Sequence, residues 1–301
     1  MPEIPDFLIK TIEKQYGKEY LEKIISGYSI KRKTTFRVNT LKSSIEKIEV
    51  ELKNNGIDFE KVAWGKEAFV LKNSNEEDLQ KLDIYKNGEI YVQSLSSMIP
   101  PIVLDPKEGE DILDMTAAPG GKTTQIAALT NNNAHITACE INSIRAERLK
   151  YNIEKQGASS VYVMIKDART IDDFFSFDKI LLDSPCSGSG TLSIENDKNE
   201  EIFTEKMVEK LVKTQTTLLK KAIKILKPGK EMIYSTCSIL KNENEEIVNS
   251  ILDKNIEIVP IDFEGINALP LLPTTIKGTV CICPDEYYEG FFVAKLKKIK
   301  E

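Results

Sequence analysis

A single histidine and five cysteines at scattered positions leave little to build a metal or disulfide framework from. Cys281 and Cys283 form one pair with no second pair, and His135 is far away in sequence, so a zinc site is not expected. An odd number of cysteines without an export signal also argues against structural disulfides. No apolar run approaches the ~20 residues that cross a bilayer. The segment MPEIPDFLIK carries acids and prolines instead of a basic stretch followed by an apolar one, which makes a cytoplasmic location the default expectation. Repeats, low-complexity tracts and long flexible linkers are missing too. A formal charge of −6 and a pI near 5.3 exclude a protein that coats nucleic acid by bulk charge. Only two short basic segments stand out, KRKTTFR at 31–37 and KLKKIK at 295–300, and both read first as solvated faces.

What is present is a soluble-globular composition, 41% apolar and 29% charged over 301 residues, enough for one large α/β domain beside a smaller one. Residues 6–26 predict two short helices broken near Gly17. Residues 34–93 then alternate between strand and helix signals: TTFRVNT, a helix over 43–56 bounded by Ser43 or Ser44 and Asn55-Gly56, AFVL, a helix over 76–82, and GEIYVQ. That order predicts a small α+β module ending where YVQSLSSMIPP changes character, around 94–101. The expected domains are therefore 1–95 and 96–301.

Beyond this boundary the alternation becomes regular. Strands are expected at 111–115, 135–140, 161–165, 179–183, 231–235 and 256–261. Helices are expected at 120–130, 143–157 (capped by Asn142 and ended by Gly157), 204–229 (stopped by Pro228-Gly229) and 243–253. The segments 280–283 and 290–296 predict a terminal hairpin. Strands separated by helices indicate a mostly parallel, doubly wound sheet, whose ligands sit beyond the carboxyl ends of the strands.

Those ends carry the chemistry. The first strand ends in Asp114 and opens onto Met115-Thr116-Ala117-Ala118-Pro119-Gly120-Gly121-Lys122-Thr123, small residues that let a ligand approach the backbone at a helix start. A phosphate-binding P-loop needs a glycine where Thr116 stands, and no GxGxxG is present, so a nucleoside cofactor without a pyrophosphate fits better. Glu140 ends the second strand, where an acid accepts ribose hydroxyls; Asp167 follows the third, placed for an adenine edge; Asp183 ends the fourth. Any one of these acids alone would read as a loop residue, but four in succession resemble a class I (Rossmann-like) S-adenosyl-L-methionine-dependent methyltransferase.

The stretch KILLDSPCSGSGTL runs from a buried strand through Asp183 to Pro185-Cys186, and the next strand ends in Ser235-Thr236-Cys237-Ser238. Two thiols are thus expected after neighbouring strands, and the residues alone leave open which one attacks. DMTAAPGGKTTQ, KDAR, LLDSPCSGSGTL and YSTCSI resemble, in order and spacing, the motifs of the Nop/Sun family of RNA cytosine-C5 methyltransferases. RVNTLK, YVQSLSSMIPP and GFFVAKL resemble its flanking segments, so the likeness covers about residues 34–296. It implies a class I methyltransferase fold with an N-terminal RRM-like module. It also implies methyl transfer from S-adenosyl-L-methionine to carbon 5 of a cytosine in rRNA or tRNA, ribosomal RNA ahead, through a covalent cysteine adduct. Alternatives are a DNA cytosine-C5 methyltransferase, whose nucleophile sits in a Pro-Cys pair, and an RNA-binding factor with a vestigial site.

By the same resemblance Cys237 is the nucleophile, Cys186 assists release of the adduct, Asp183 binds the base, and Lys122 orients the base or favours the thiolate. Cofactor contacts carry over to Thr116, Ala117, Ala118, Pro119, Gly120, Gly121, Lys122, Glu140, Asp167 and Asp183. Arg145, one turn into the following helix, is a further candidate. The expected partner is RNA, with neither a membrane nor a metal, and the chain is taken as a monomer by default. Two departures touch substrate contacts: Met115-Thr116 stands where a Cys often precedes Ala-Ala-Pro, and LPLLPTTIKGTV lacks the family's usual Arg and His.

Overall fold

The structure, a computed structural model, describes residues 4–193 and 203–300. In chain order its elements are α1 (Asp6–Tyr16), α2 (Lys18–Ser29), β1 (Thr35–Val38), α3 (Ile45–Asn54), β2 (Phe59–Val62), β3 (Gly65–Leu71), α4 (Glu76–Lys81), α5 (Asp83–Lys86), β4 (Ile90–Val92), α6 (Leu95–Leu104), β5 (Asp111–Asp114), α7 (Gly121–Leu129), β6 (His135–Glu140), α8 (Ser143–Gln156), β7 (Val161–Ile165) and β8 (Phe177–Asp183). After these come α9 (Glu205–Ile225), β9 (Leu226–Thr236), α10 (Glu245–Asn249), β10 (Ile256–Val259), β11 (Leu271–Leu272), β12 (Val280–Ile282) and β13 (Phe291–Lys298). The chain divides into two compact units. One is Lys33–Leu181 with Asp262–Ala268; the other joins the segment up to Arg32 to Leu182–Ile261 and the segment from Leu269 onward.

In the first unit, β1 to β4 form an antiparallel sheet in the order β2-β3-β1-β4. Strand β1 is buried at every position, so its sequence alternation marks no solvent face. Phe36 and its cross-strand partner Phe69 stack at 5.3 Å inside a core that also takes Ile48 and Leu52 from α3 and Leu79 from α4. Helix α3 starts at Ser44, whose side chain accepts from the Lys47 N–H, and α4 at an Asn75–Asp78 capping box. Strand β2 and helices α5 and α6 go beyond the elements expected from the sequence.

Helix α6 is the unexpected one, because Pro100 and Pro101 lie inside it. A proline removes the N–H owed to the carbonyl four residues earlier. For Pro101 that carbonyl belongs to Ser97, and it accepts from Gln93 Nε2 at 3.1 Å instead. The same unit holds the parallel strands β8-β5-β6-β7, with Asp114 registered against Ala138 and Leu181, and Glu140 against Ile165. Helix α8 starts and stops as expected, with Asn142 accepting from the Arg145 N–H and Gly157 at φ +67° closing it.

In the second unit, β13 pairs antiparallel with β9, β12 and β10, and the β12–β13 pairing is the expected terminal hairpin. Helix α9 ends at Ile225, before the expected stop at Pro228-Gly229, and both residues belong to β9. Pairing with β13 begins at Glu231, so Pro228 withholds no ladder hydrogen bond there. Helix α10 covers only five of the eleven residues assigned to a helix at 243–253. Among the described residues no helix is long and apolar enough to cross a membrane, and no group of three or more His, Cys, Asp or Glu side chains converges as a metal site would.

Candidate active site

The first unit supplies a loop and three acids. From Asp114, buried at 1% exposure, the chain turns so that Thr123 Oγ1 donates to Asp114 Oδ2 at 2.7 Å and the Thr116 N–H to Oδ1 at 3.4 Å. Asp114 thereby ties the loop start to the first turn of α7. The Ala117 N–H donates to the Cys139 carbonyl at 2.9 Å, and Ala118-Pro119 is a cis peptide. Helix α8 reaches back to the loop: Arg145 donates to the Ala118 carbonyl at 2.9 Å and Asn152 to that of Pro119 at 2.8 Å. Gly120 sits at φ +107°, with Leu149 Cδ1 3.0 Å from where a Cβ would stand, so both conformation and space call for glycine. Gly121 and Lys122 then open α7, whose first N–H groups have no intrahelical acceptor.

Glu140 is 3% exposed, and one oxygen accepts from the Asn142 N–H at 2.8 Å while the other lies 3.6 Å from Arg145. Asp167 is gripped by Arg169 at 2.6 Å, and this hydrogen bond holds its carboxyl below the usual carboxylate range. Burial, then the nearby Asp114, Glu140 and Asp167, push the Cys139 thiol up to about 12. The three acids therefore share one electronegative neighbourhood. A group of three acids, a buried carboxylate at a strand end and a glycine turn at a helix start suit a nucleoside carrying a cationic sulfonium. The residues present fit S-adenosyl-L-methionine. Lys122 donates from Nζ to Ser97 Oγ at 2.7 Å.

Arg37, read from the sequence as part of a solvated basic face, is instead 3% exposed. It donates to Gln93 Oε1 at 3.0 Å, Thr124 Oγ1 at 2.7 Å and the Gly121 carbonyl at 3.2 Å. Asn39, from the same RVNT run, donates to the Gly88 and Gln156 carbonyls. This segment braces α7 and α8 against the antiparallel sheet, while Lys31 and Lys33 are exposed.

The second unit holds the thiols. Cys186 and Cys237 are both half-buried, with their sulfurs 3.0 Å apart. Their loops are stitched together by backbone bonds: Ser184 N–H to the Ser235 carbonyl at 2.8 Å, and Gly190 N–H to the Cys237 carbonyl at 3.0 Å. Ser235 Oγ donates to Asp183 Oδ1 at 2.8 Å, fixing the carboxylate that ends β8. The hydrogen bond with Cys237, then burial, push the Cys186 thiol well above its usual range. A Cβ on Gly190 would meet the Gly290 carbonyl oxygen at 2.0 Å, and one on Gly290 would meet Gly190 Cα at 2.7 Å, which accounts for the second glycine of SGSG and the glycine of EGFF.

One participant escapes sequence reading. Glu243, fully buried, accepts from the Ser187 N–H and Oγ, from Ser238 Oγ and from Gln215 Nε2. In the sequence it opens the run ENEE, which resembles a solvated helix start, and nothing local marks it otherwise.

The family profile described as "16S rRNA methyltransferase RsmB/F" matches residues 101–297, and its companion, a "ferredoxin-like domain", matches residues 4–76. The chain is 34% identical over 290 residues to the ribosomal RNA small subunit methyltransferase F of Shewanella loihica, covering 93% of this chain and 59% of that protein. It is 30% identical to the probable ribosomal RNA small subunit methyltransferase B of Bacillus subtilis, covering 98% of this chain and 66% of that one. The chain thus spans about three fifths of the length of the curated relatives it matches first. Among solved structures, a methyltransferase homologue from Pyrococcus horikoshii superposes with a TM-score of 0.82 at 32% identity, covering 98% of this chain and 100% of that one. NSun6 from Pyrococcus horikoshii, solved with the S-adenosylmethionine analogue SFG, gives 0.88 at 25% identity with both chains fully covered. By profile, sequence and fold alike, the chain belongs to the RsmB/F family of S-adenosylmethionine-dependent methyltransferases.

Proposed function

We propose that the protein is an RNA (cytosine-5-)-methyltransferase that modifies ribosomal RNA, with Cys237 as the nucleophile. The observation that carries this reading is the pair of thiols whose sulfurs lie 3.0 Å apart. A single cysteine suffices for most nucleophilic chemistry. A second, protonated thiol is of use where the first must form a bond and later be released from it.

Carbon 5 of cytosine is a weak nucleophile until a group adds to carbon 6. We take Cys237 as the attacking sulfur and Cys186 as its partner thiol, in keeping with the upward push on Cys186. Its thiolate adds to carbon 6, and the ring electrons move to carbon 5, which forms the new bond to carbon. When bound, S-adenosyl-L-methionine would supply the electrophilic methyl group, the S–CH3 electron pair remaining on the neutral thioether that leaves. Asp183, oriented by Ser235, hydrogen-bonds the ring edge and favours protonation at nitrogen 3, offsetting the charge that accumulates there. The carbon 5 proton then passes to a water molecule acting as base, its bonding pair re-forms the carbon 5–carbon 6 double bond, and the carbon–sulfur bond breaks with its electron pair returning to Cys237. Cys186 assists that last step.

The cofactor roles fall to the loop 116–122, Glu140, Asp167 and Asp183, with Arg145 acting through the Ala118 carbonyl that it holds. Lys122 orients the base from the first turn of α7. We assign RNA recognition to residues 1–95 and catalysis to 96–301, a division supported by the two profile matches. A base within a stem has to be flipped out or already unpaired.

The test is methyl transfer from labelled cofactor to separate ribosomal RNA, transfer RNA and DNA pools, followed by nucleoside analysis. Label in 5-methylcytosine of ribosomal RNA is the expected result. Transfer only to transfer RNA would reassign the substrate, and transfer only to DNA, or to no pool, would overturn the reading.

A further inference from the structure

We propose that Glu243 is a positioning residue that clamps the two cysteine loops together and so sets the spacing of the Cys186 and Cys237 sulfurs. The inference rests on the thiol-pair reading above. Its basis is where the four donors come from. Ser187 directly follows Cys186 and donates both its N–H, at 2.8 Å to Oε1, and its hydroxyl, at 2.5 Å to Oε2. Ser238 directly follows Cys237 and donates its hydroxyl to Oε2 at 2.6 Å. Gln215, from α9, donates to Oε1 at 3.0 Å and to the carbonyl of Pro185, the residue before Cys186, at 2.9 Å. One buried carboxylate therefore holds the residue after each thiol.

The backbone around Glu243 is anchored as firmly. Its carbonyl accepts from Tyr234 Oη at 2.6 Å, on the strand that leads to Cys237. Its neighbour Asn244 accepts from Thr236 Oγ1 at 2.5 Å and donates to the Ser238 carbonyl at 2.8 Å, so it grips the residues on either side of Cys237. Acceptor and acceptor-bearing backbone thus belong to one short segment. A carboxylate is needed because all four donors point inward. A glutamine in its place can keep its oxygen toward the two N–H donors, but its NH2 group then turns both serine hydroxyls from donors into acceptors, and the charge is lost. Hydrogen bonds to a charged acceptor are shorter and stronger than neutral ones, which suits a device that fixes a distance.

The experiment uses phenylarsine oxide, which bridges only two thiols that are close together. Two S–As bonds form, both thiol protons leave, and the oxide oxygen departs as water. The full chain is treated, and the bridged peptides are mapped by mass. In the wild type one arsenical joins Cys186 to Cys237, and either Cys→Ala variant abolishes the bridge. Glu243→Gln is expected to slow bridging at least tenfold, with Glu243→Asp recovering part of the loss. The double variant S187A/S238A retains the carboxylate and both thiols and is expected to fall between wild type and Glu243→Gln; it carries the test if Glu243→Gln does not fold. Bridging at the wild-type rate in the folded variants would overturn the proposal. Because neither RNA nor cofactor is present, failure of the wild type to methylate RNA would sink the functional reading while leaving this result standing.

Discussion

Cys186 and Cys237 share a hydrogen bond and a comparable exposure, yet that hydrogen bond and burial push the Cys186 thiol upward. Iodoacetamide at pH 8 should therefore alkylate Cys237 ahead of Cys186, while Cys139 and Cys281, both pushed up by burial, react last; peptide mass mapping reads the order. Ser235 acts one step removed, through Asp183. Removing its hydroxyl forfeits a hydrogen bond to a charged group, worth roughly 1.5–3 kcal/mol, so Ser235→Ala should lower kcat about tenfold with little change in cofactor binding. Arg169 and Asp167 provide a pH-dependent contact. A carboxyl held below its unfolded value contributes stability above that value and loses it as pH falls through the folded one. Wild type and Arg169→Ala should accordingly differ in thermal midpoint at pH 7 and converge below about pH 3. The half-exposed pair makes that difference small.

At the scale of elements, legibility in the sequence followed how local the cause was. Helix α8 was readable at both ends because Asn142 and Gly157 act on their own turns. Asn142→Ala should cost about 1 kcal/mol, within the 0.5–2 kcal/mol range of such caps, and lower the melting midpoint by a few degrees at most. Helix α6 was hidden, since Pro100 and Pro101 argue against any helix until Gln93 is seen answering the Ser97 carbonyl. The end of α9 was misplaced because proline and glycine punctuate strands as well as helices, and only the β13 register shows that Pro228 precedes the paired region. Arg37 resembled part of a basic face because its partners on α7 are remote in sequence. Gly190 and Gly290 are a further long-range pair: a methyl group at Gly190 has no space against the Gly290 carbonyl, so Gly190→Ala should yield an unfolded or insoluble chain in a solubility and circular-dichroism assay.

At the scale of the whole molecule, an acidic chain of the RsmB/F family carries Asp114, Glu140 and Asp167 in one compact unit, and Asp183 with both thiols in the other. The motif acids and cysteines were legible because each follows a strand end, the place where parallel sheets expose ligand-binding groups. What joins them to their supports was legible only in part: Ser235 lies within YSTCSI, whereas Glu243 and Gln215 are recruited from segments that have no signature of their own. The central claim is a division of labour between two sulfurs, and trapping the covalent RNA adduct on a denaturing gel tests it most directly. Cys186→Ala should accumulate a protein–RNA adduct in the presence of cofactor, and Cys237→Ala should form none. An adduct that persists in Cys237→Ala and disappears in Cys186→Ala would contradict the account.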